Sequence, residues 1–264
     1  MNNRLFYSSL GIALMGLLVI GFISYNSQTQ SLDILQPPTS TTAQTPGIPP
    51  SKKASAHGLY DPHATLKPEQ HIQVALQHEA EGRLHEAMKT LMSAIAQYPD
   101  EQELYGIRAS FYMEQGQFSE ALQDLEQGLK VAPEDARLLT NRAQVYRQFG
   151  QIEQALRDLN TAIQNSPNLL AAHFNRGAIY YSSNEFEKAL ADFDACIVID
   201  PHTAAPYFNR ASARQALGNL DGAKEDLNRF IELSENEQWK TAARKLLSRW
   251  EKTNQPTDQA SPTS

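Results

Sequence analysis

The chain has 264 residues, a formal net charge of -7 and a single cysteine. That balance offers no broad attraction to phosphate backbones, so nucleic acid is not an expected partner. Cys196 alone can form neither an intramolecular disulfide nor a cysteine zinc cluster, and inside an apolar helical pattern it reads as a small buried filler. Composition shifts near Leu66: Ser, Thr, Pro and Gln dominate before it, and Ala, Leu, Glu, Gln and Arg after it, which is helical composition.

At the N-terminus, Arg4 precedes an apolar run from Leu5 to Ile23 that only Ser8 and Ser9 interrupt. At about 1.5 Å rise per residue this run approaches the roughly 30 Å hydrocarbon core of a bilayer. A backbone inside lipid must satisfy its own polar groups, so the run is predicted to be one transmembrane helix. The only basic side chain before it is Arg4, and the next is Lys52. The positive-inside rule then keeps the N-terminus cytoplasmic and exports the rest. A cleaved signal peptide is the rival reading. Ile23-Ser24-Tyr25-Asn26 is a poor cleavage site, which favours an uncleaved anchor over residues 1–24. No cysteine sits near the end of the run, so a lipoprotein signal is excluded. The expected location is the inner membrane, single-pass, with the remainder periplasmic; after cleavage it would be secreted.

Residues 25–65 carry Pro37, Pro38, Pro46, Pro49 and Pro50 among many Ser and Thr. They lack the apolar side chains that would offset ordering entropy, so a disordered tether is expected. As a coil it would span roughly 35 Å. His57 and His63 lie within it, and two histidines without further ligands are a weak metal signal.

From Leu66 onward the chain repeats itself. Pro99, Pro133, Pro167 and Pro201 stand 34 residues apart, as do Ala87, Ala121, Ala155, Ala189 and Ala223. Gly82, Gly116, Gly150 and Gly218 keep the interval, with Asn184 in the remaining place. In the third unit, Leu139, Ala143 and Tyr146 precede Gly150, and Ile152, Ala155, Leu156, Leu159, Ala162 and Ile163 follow it. That is helical spacing on both sides of a residue suited to a left-handed turn, so each unit is predicted to be a helical hairpin. The prolines separate one unit from the next.

This spacing resembles the tetratricopeptide repeat (TPR), with small residues at its eighth and twentieth places and proline at its thirty-second. The resemblance covers about residues 68–235, with repeats near 68–101, 102–135, 136–169, 170–203 and 204–235. It implies an all-α, right-handed α-solenoid of helical hairpins. The end repeats depart from the pattern: His78 and Arg214 stand where the others have tyrosine, and the fifth has no closing proline. Terminal repeats meet water on one face and are expected to be atypical.

A closing helix is predicted over 235–251, within a domain of 66–252. Ser234 and Glu237 suggest a capping box, and Trp239, Ala242, Ala243, Leu246, Leu247 and Trp250 form one apolar stripe. Lys240, Arg244, Lys245 and Arg249 lie off it; a capping role is favoured over contact with an acidic membrane. Residues 253–264 are expected to be disordered.

Arg108, Arg142, Arg176 and Arg210 recur at the seventh place, and Asp124, Asp158, Asp192 and Asp226 at the twenty-third. The first repeat has Val74 and Thr90 there and loses both members together. This joint loss predicts a bidentate ion pair across each hairpin, a structural feature rather than a ligand contact.

The resemblance also implies a concave groove lined by the first helices. Its sixth place holds Asn141, Asn175 and Asn209, whose carboxamides could pair with the backbone of an extended peptide. Around them the same frame places Arg137, Gln144, Arg147, Phe174, Tyr181, Phe208 and Ser212. Phe174 and Phe208 are candidate apolar anchors, with packing between neighbouring repeats as the alternative. No Lys-and-Asn then Lys-and-Arg arrangement is present to clamp a C-terminal carboxylate.

Catalysis requires a nucleophile or a tuned acid–base pair in a pocket, and no motif supplies one. His71, His78 and His85 are spaced by seven, which lacks the i, i+4 placement of helical metal ligands. No catalytic residue, metal or cofactor is therefore expected. The predicted function is a scaffold that binds another protein or an extended peptide, in bacterial envelope assembly. A self-associating module and a regulatory subunit of an envelope enzyme are the alternatives.

Overall fold

Eleven helices run through residues 66–253, the part of the chain described by this computed structural model. They are α1 (Pro68–Ala80), α2 (Leu84–Gln97), α3 (Gln102–Glu114), α4 (Phe118–Val131), α5 (Ala136–Gln148), α6 (Ile152–Asn165), α7 (Leu170–Ser182), α8 (Phe186–Ile199), α9 (Ala204–Ala216), α10 (Leu220–Leu233) and α11 (Glu237–Thr253). The apolar run 5–23, the tether with His57 and His63, and the tail from 254 lie outside the described residues. Among the described residues no helix is long and apolar enough to cross a membrane.

The turn that divides each hairpin is set by one backbone conformation. Gly82, Gly116, Gly150 and Gly218 have φ between 71° and 83°, and Asn184 has φ 60°. Reversal there lets the next residue reach back five places: Gln117 N–H donates to the Tyr112 carbonyl at 2.8 Å, Gln151 to Tyr146 at 2.8 Å and Glu185 to Tyr180 at 2.8 Å. Such a bond satisfies a carbonyl that the helix end would otherwise leave orphaned. Asn184 adopts the same conformation because its short amide side chain tolerates it.

Each first helix packs on its own second helix, α1 on α2 through α9 on α10, and each hairpin packs on the next. The first helices also touch one another in series, α1 with α3, then α5, α7 and α9. They therefore form a continuous inner layer with the second helices outside it, which makes the molecule an all-α repeat solenoid. Alanines at the helix crossings are fully buried: Ala75, Ala87, Ala109, Ala121, Ala155, Ala189, Ala211 and Ala223 all show 0% exposure. The fourth hairpin swaps both partners of this contact. Phe193 replaces leucine, and Gly177 replaces alanine beneath it, where a Cβ would meet the ring at 2.9 Å.

The last helix closes the stack with Ala243 and Trp250 buried against the fifth hairpin, beside Tyr207, Phe208 and Phe230. Its N-cap is Asn236, whose Oδ1 accepts from the N–H groups of Gln238 at 3.0 Å and Trp239 at 3.1 Å. The Ser234–Glu237 capping box expected from sequence does not form, because the helix starts at Glu237 and Ser234 caps the end of α10.

Candidate functional site

The arginines of the seventh place come first, because they orient the first helices. Arg108 grips Asp124 with Nε at 2.7 Å and Nη2 at 2.6 Å. Arg142 grips Asp158 at 2.7 and 2.8 Å. Arg176 grips Asp192 at 2.9 and 2.7 Å, and Arg210 grips Asp226 at 2.9 and 2.6 Å. In all four, one edge of the guanidinium meets both oxygens of a buried carboxylate. The Asp hydrogen bonds raise the pKa of Arg108, Arg142 and Arg176 against the opposing effect of burial. At Arg210 burial is the largest influence and lowers the pKa, but Asp226 and Asp194 together outweigh it.

Two of these arginines have a third arm. Arg176 Nη1 donates to Asn160 at 2.7 Å, and Arg210 Nη1 to Asp194 at 2.6 Å. Both acceptors sit on the second helix of the preceding hairpin, so the arginine joins repeats as well as closing its own. Asn160 and Asp194 were not singled out in the sequence. The available signal was a run of acid or amide residues, Glu126, Asn160 and Asp194, at one place of successive repeats.

A second repeated link runs from the fourth place to the proline carbonyl that ends the preceding repeat. Tyr105 Oη–H donates to Pro99 O at 3.0 Å and Tyr207 to Pro201 O at 3.1 Å. In the fourth hairpin His173 takes this role, with Nε2 at 2.9 Å from Pro167 O and Nδ1 at 3.2 Å from Asp192 Oδ1. Both neighbours are acceptors, so only the doubly protonated ring satisfies them. The Asp192 hydrogen bond accordingly raises the His173 pKa, against burial and the charge of Arg176.

The groove candidates divide into three groups. Arg137 is exposed and 3.9 Å from Glu103, Asn141 is half-buried, and Ser212 is half-buried with its hydroxyl turned back to Phe208 O at 3.1 Å. Tyr181 is half-buried and edge-on to Phe186 at 5.3 Å. Gln144, Asn175 and Asn209 are buried. The three asparagines therefore do not form a ladder of open carboxamides: Asn209 spends its Nδ2 on Ala205 O of its own helix at 3.0 Å. Its Oδ1, and Nδ2 of Asn175, have no hydrogen-bond partner.

Phe174 and Phe208 are not groove anchors. Phe174 is 1% exposed and meets Phe193 at 5.9 Å, and Phe208 is 3% exposed and meets Phe230 edge-on at 5.2 Å. Helical rotation turns the fifth place into the packed interior, so both rings join the core rather than the groove.

Arg147 differs from every other arginine of the first helices. It is half-buried, yet its Nε and Nη2 are buried without a hydrogen-bond partner among the described residues. Burial pulls its pKa below the ordinary arginine value, and no neighbouring charge offsets this. Among the described residues no group of three or more His, Cys, Asp and Glu side chains could hold a metal ion. His71 is buried beside Tyr98, and His85 is exposed.

Comparison with known proteins places this geometry. A family model described as the tetratricopeptide repeat matches residues 112–176 and 177–248. No curated protein matches the sequence. The fold is shared with several solved structures. A tetratricopeptide repeat protein from Parabacteroides merdae is 24% identical with a TM-score of 0.57, covering 71% of this chain and 74% of its own. A thermophilic TPR protein from Thermus thermophilus is 20% identical with a TM-score of 0.56, covering 70% and 98%. YrrB, described as a TPR protein with an unusual peptide-binding site, is 21% identical with a TM-score of 0.51, covering 68% and 92%.

Proposed function

The chain belongs to the tetratricopeptide-repeat family, and on that premise we propose that it is a non-catalytic scaffold holding another polypeptide along its first-helix layer. The observation that carries this reading is the unbroken inner layer of α1, α3, α5, α7 and α9. That layer carries Arg137, Asn141 and Arg147 on one helix and the half-buried Tyr181 on the next. Polar groups interleaved with an aromatic ring suit an extended chain, whose backbone alternates acceptors and donors. The peptide-binding site in the description of YrrB supports the same use of this fold.

The apolar run 5–23 supports a single-pass inner-membrane anchor, with the N-terminus cytoplasmic and five repeats in the periplasm, serving envelope assembly. A C-terminal alkaline phosphatase fusion tests this topology. Active phosphatase is expected, and an inactive fusion of full length would overturn it.

The groove itself is tested by photocrosslinking in the native membrane. A photoreactive residue at Arg137, on the inner layer, is compared with one at Val198, which is 83% exposed on a second helix. The scaffold reading expects a distinct protein adduct from 137 and none from 198. Adducts only to a second copy would replace it with self-association, and a partner captured only from 198 would move the binding face to the outer layer.

A further inference from the structure

We propose that the groove selects polypeptides bearing an acidic side chain, and that Arg147 is the residue that recognises it. This rests on the groove reading above and adds the chemistry of the ligand.

The other arginines of the first helices set the pattern. Arg108, Arg142, Arg176 and Arg210 each present the edge made by Nε and Nη2 to the two oxygens of one carboxylate. Arg214 reaches Asp226 at 3.0 Å and the Gly222 carbonyl. At Arg147 the same Nε–Nη2 edge has no acceptor, and among the described residues no carboxylate pairs with it. Arginine does not shed its proton in a protein, so the charge stays, buried and without a counterion. The missing group is therefore a carboxylate that the described residues do not themselves provide.

A bland reading is that Arg147 covers apolar surface with its stem and leaves its head in water. The burial pattern opposes it, since it is the head nitrogens Nε and Nη2 that lie away from solvent. The residue as a whole is only half-buried and its terminal torsions can turn, so binding requires that edge to rotate toward the groove. There a carboxylate meets it with the two-point geometry already seen four times in this molecule.

The neighbouring orphans fit a peptide rather than a free anion. On α7, in contact with α5, Asn175 leaves an Nδ2 donor unsatisfied at 4% exposure. On α9 Asn209 leaves an Oδ1 acceptor. A small anion has no hydrogen to give the second. An extended backbone supplies a carbonyl for one and an N–H for the other, while its acidic side chain serves Arg147. Because the chain carries a net charge of -7, it has no general attraction for acidic peptides, so any preference for them reports a local site.

The test uses the full chain in detergent micelles and three fluorescein-labelled 12-residue peptides, identical except for a central Glu, Gln or Lys. Fluorescence anisotropy is expected to give the Glu peptide an affinity at least tenfold above the Gln peptide. R147Q should erase that difference, with the far-ultraviolet spectrum and melting temperature of the variant close to those of the parent. Equal binding of Glu and Gln peptides by the parent would overturn the acidic preference while leaving the groove reading intact. So would a preference that survives R147Q but is lost in K245E/R249E, which would move it to the last helix. Binding of inorganic phosphate alone, lost in R147Q and competing with the Glu peptide, would replace the peptide with a small anion. If none of the three peptides binds, the groove reading and this inference fall together.

Discussion

Removing Arg176 should be less damaging than removing Arg108, but only at low pH. Both arginines hold a buried aspartate, Asp192 at 3% exposure and Asp124 at 5%. Deleting one member of such a pair leaves an uncompensated charge and costs about 3–5 kcal/mol. Asp124 has no second partner among the described residues, so Arg108→Ala should lose that amount at any pH between 5 and 9. Asp192 has His173 at 3.2 Å, and its side chain is 11% exposed, so solvent screens the contact little. A protonated His173 would keep a charge-assisted hydrogen bond worth about 1.5–3 kcal/mol, toward the lower end at this distance. The sign follows from the raised pKa. Its contribution is complete below the ordinary histidine value of 6.5 and is lost as pH rises through the higher folded value. Loss of Arg176 also removes a charge that lowers the His173 pKa, which moves the window further up. The missing Asn160 contact adds roughly 0.5–1 kcal/mol at every pH. The parent loses part of the same contact over this range, so urea unfolding followed by circular dichroism at pH 5.5 and 8.5 should show an Arg176→Ala penalty larger at pH 8.5 by less than about 1.5 kcal/mol, with no such change for Arg108→Ala. Equal Arg176→Ala penalties at the two pH values, or a larger one at pH 5.5, would refute the assignment of His173 as the second partner.

Three further outcomes follow from the packing. Gly177→Ala gains about 1 kcal/mol of helix propensity, but its Cβ would meet Phe193 at 2.9 Å and Asp192 at 3.1 Å in a fully buried site, an overpacking cost of about 1–3 kcal/mol. A net loss of about 1 kcal/mol is expected, and Phe193→Leu in the same chain should recover part of it in a double-mutant cycle. Asn184→Gly relieves a left-handed residue and should raise the melting temperature by about 2–3 °C, whereas Gly150→Ala, with open space around its Cβ but φ +71°, should lower stability by about 1–2 kcal/mol. Burial pushes the Cys196 thiol well above its usual range, so a disulfide reagent should fail to label the native chain over an hour and react within minutes in urea. Rapid native labelling would show that the fourth hairpin opens.

Hairpin architecture was legible because its causes recur in register: a left-handed turn residue, alanines at the crossing and a buried Arg–Asp pair absent from the first repeat as a unit. The groove was less legible, since a place in a repeat fixes direction only to within a neighbouring residue's width. Phe174 and Phe208 lie one position from Asn175 and Asn209, and one position is 100° of helical rotation, enough to move a ring from the inner layer to the core. Links between repeats were hidden for another reason. The place that faces the third arm holds Met92, Glu126, Asn160 and Asp194 along the column, and among the described residues only Asn160 and Asp194 accept its bond, so chemistry varies where the fold repeats. His173 was hidden in the same way, because its role in holding Pro167 is played by Tyr105 and Tyr207 elsewhere. These substitutions all fall toward the C-terminal side. Among the described residues, Arg176 and Arg210 reach back to the preceding hairpin and Arg108 has no acceptor there, so the third to fifth hairpins are joined by guanidinium links that the first two lack. In a solenoid whose stability is a sum of repeat and interface terms, that asymmetry makes the first two hairpins the first to open. Arg147, Asn175 and Asn209 all lie in the stiffer half, where an unpaired charge can be held in place until a ligand arrives.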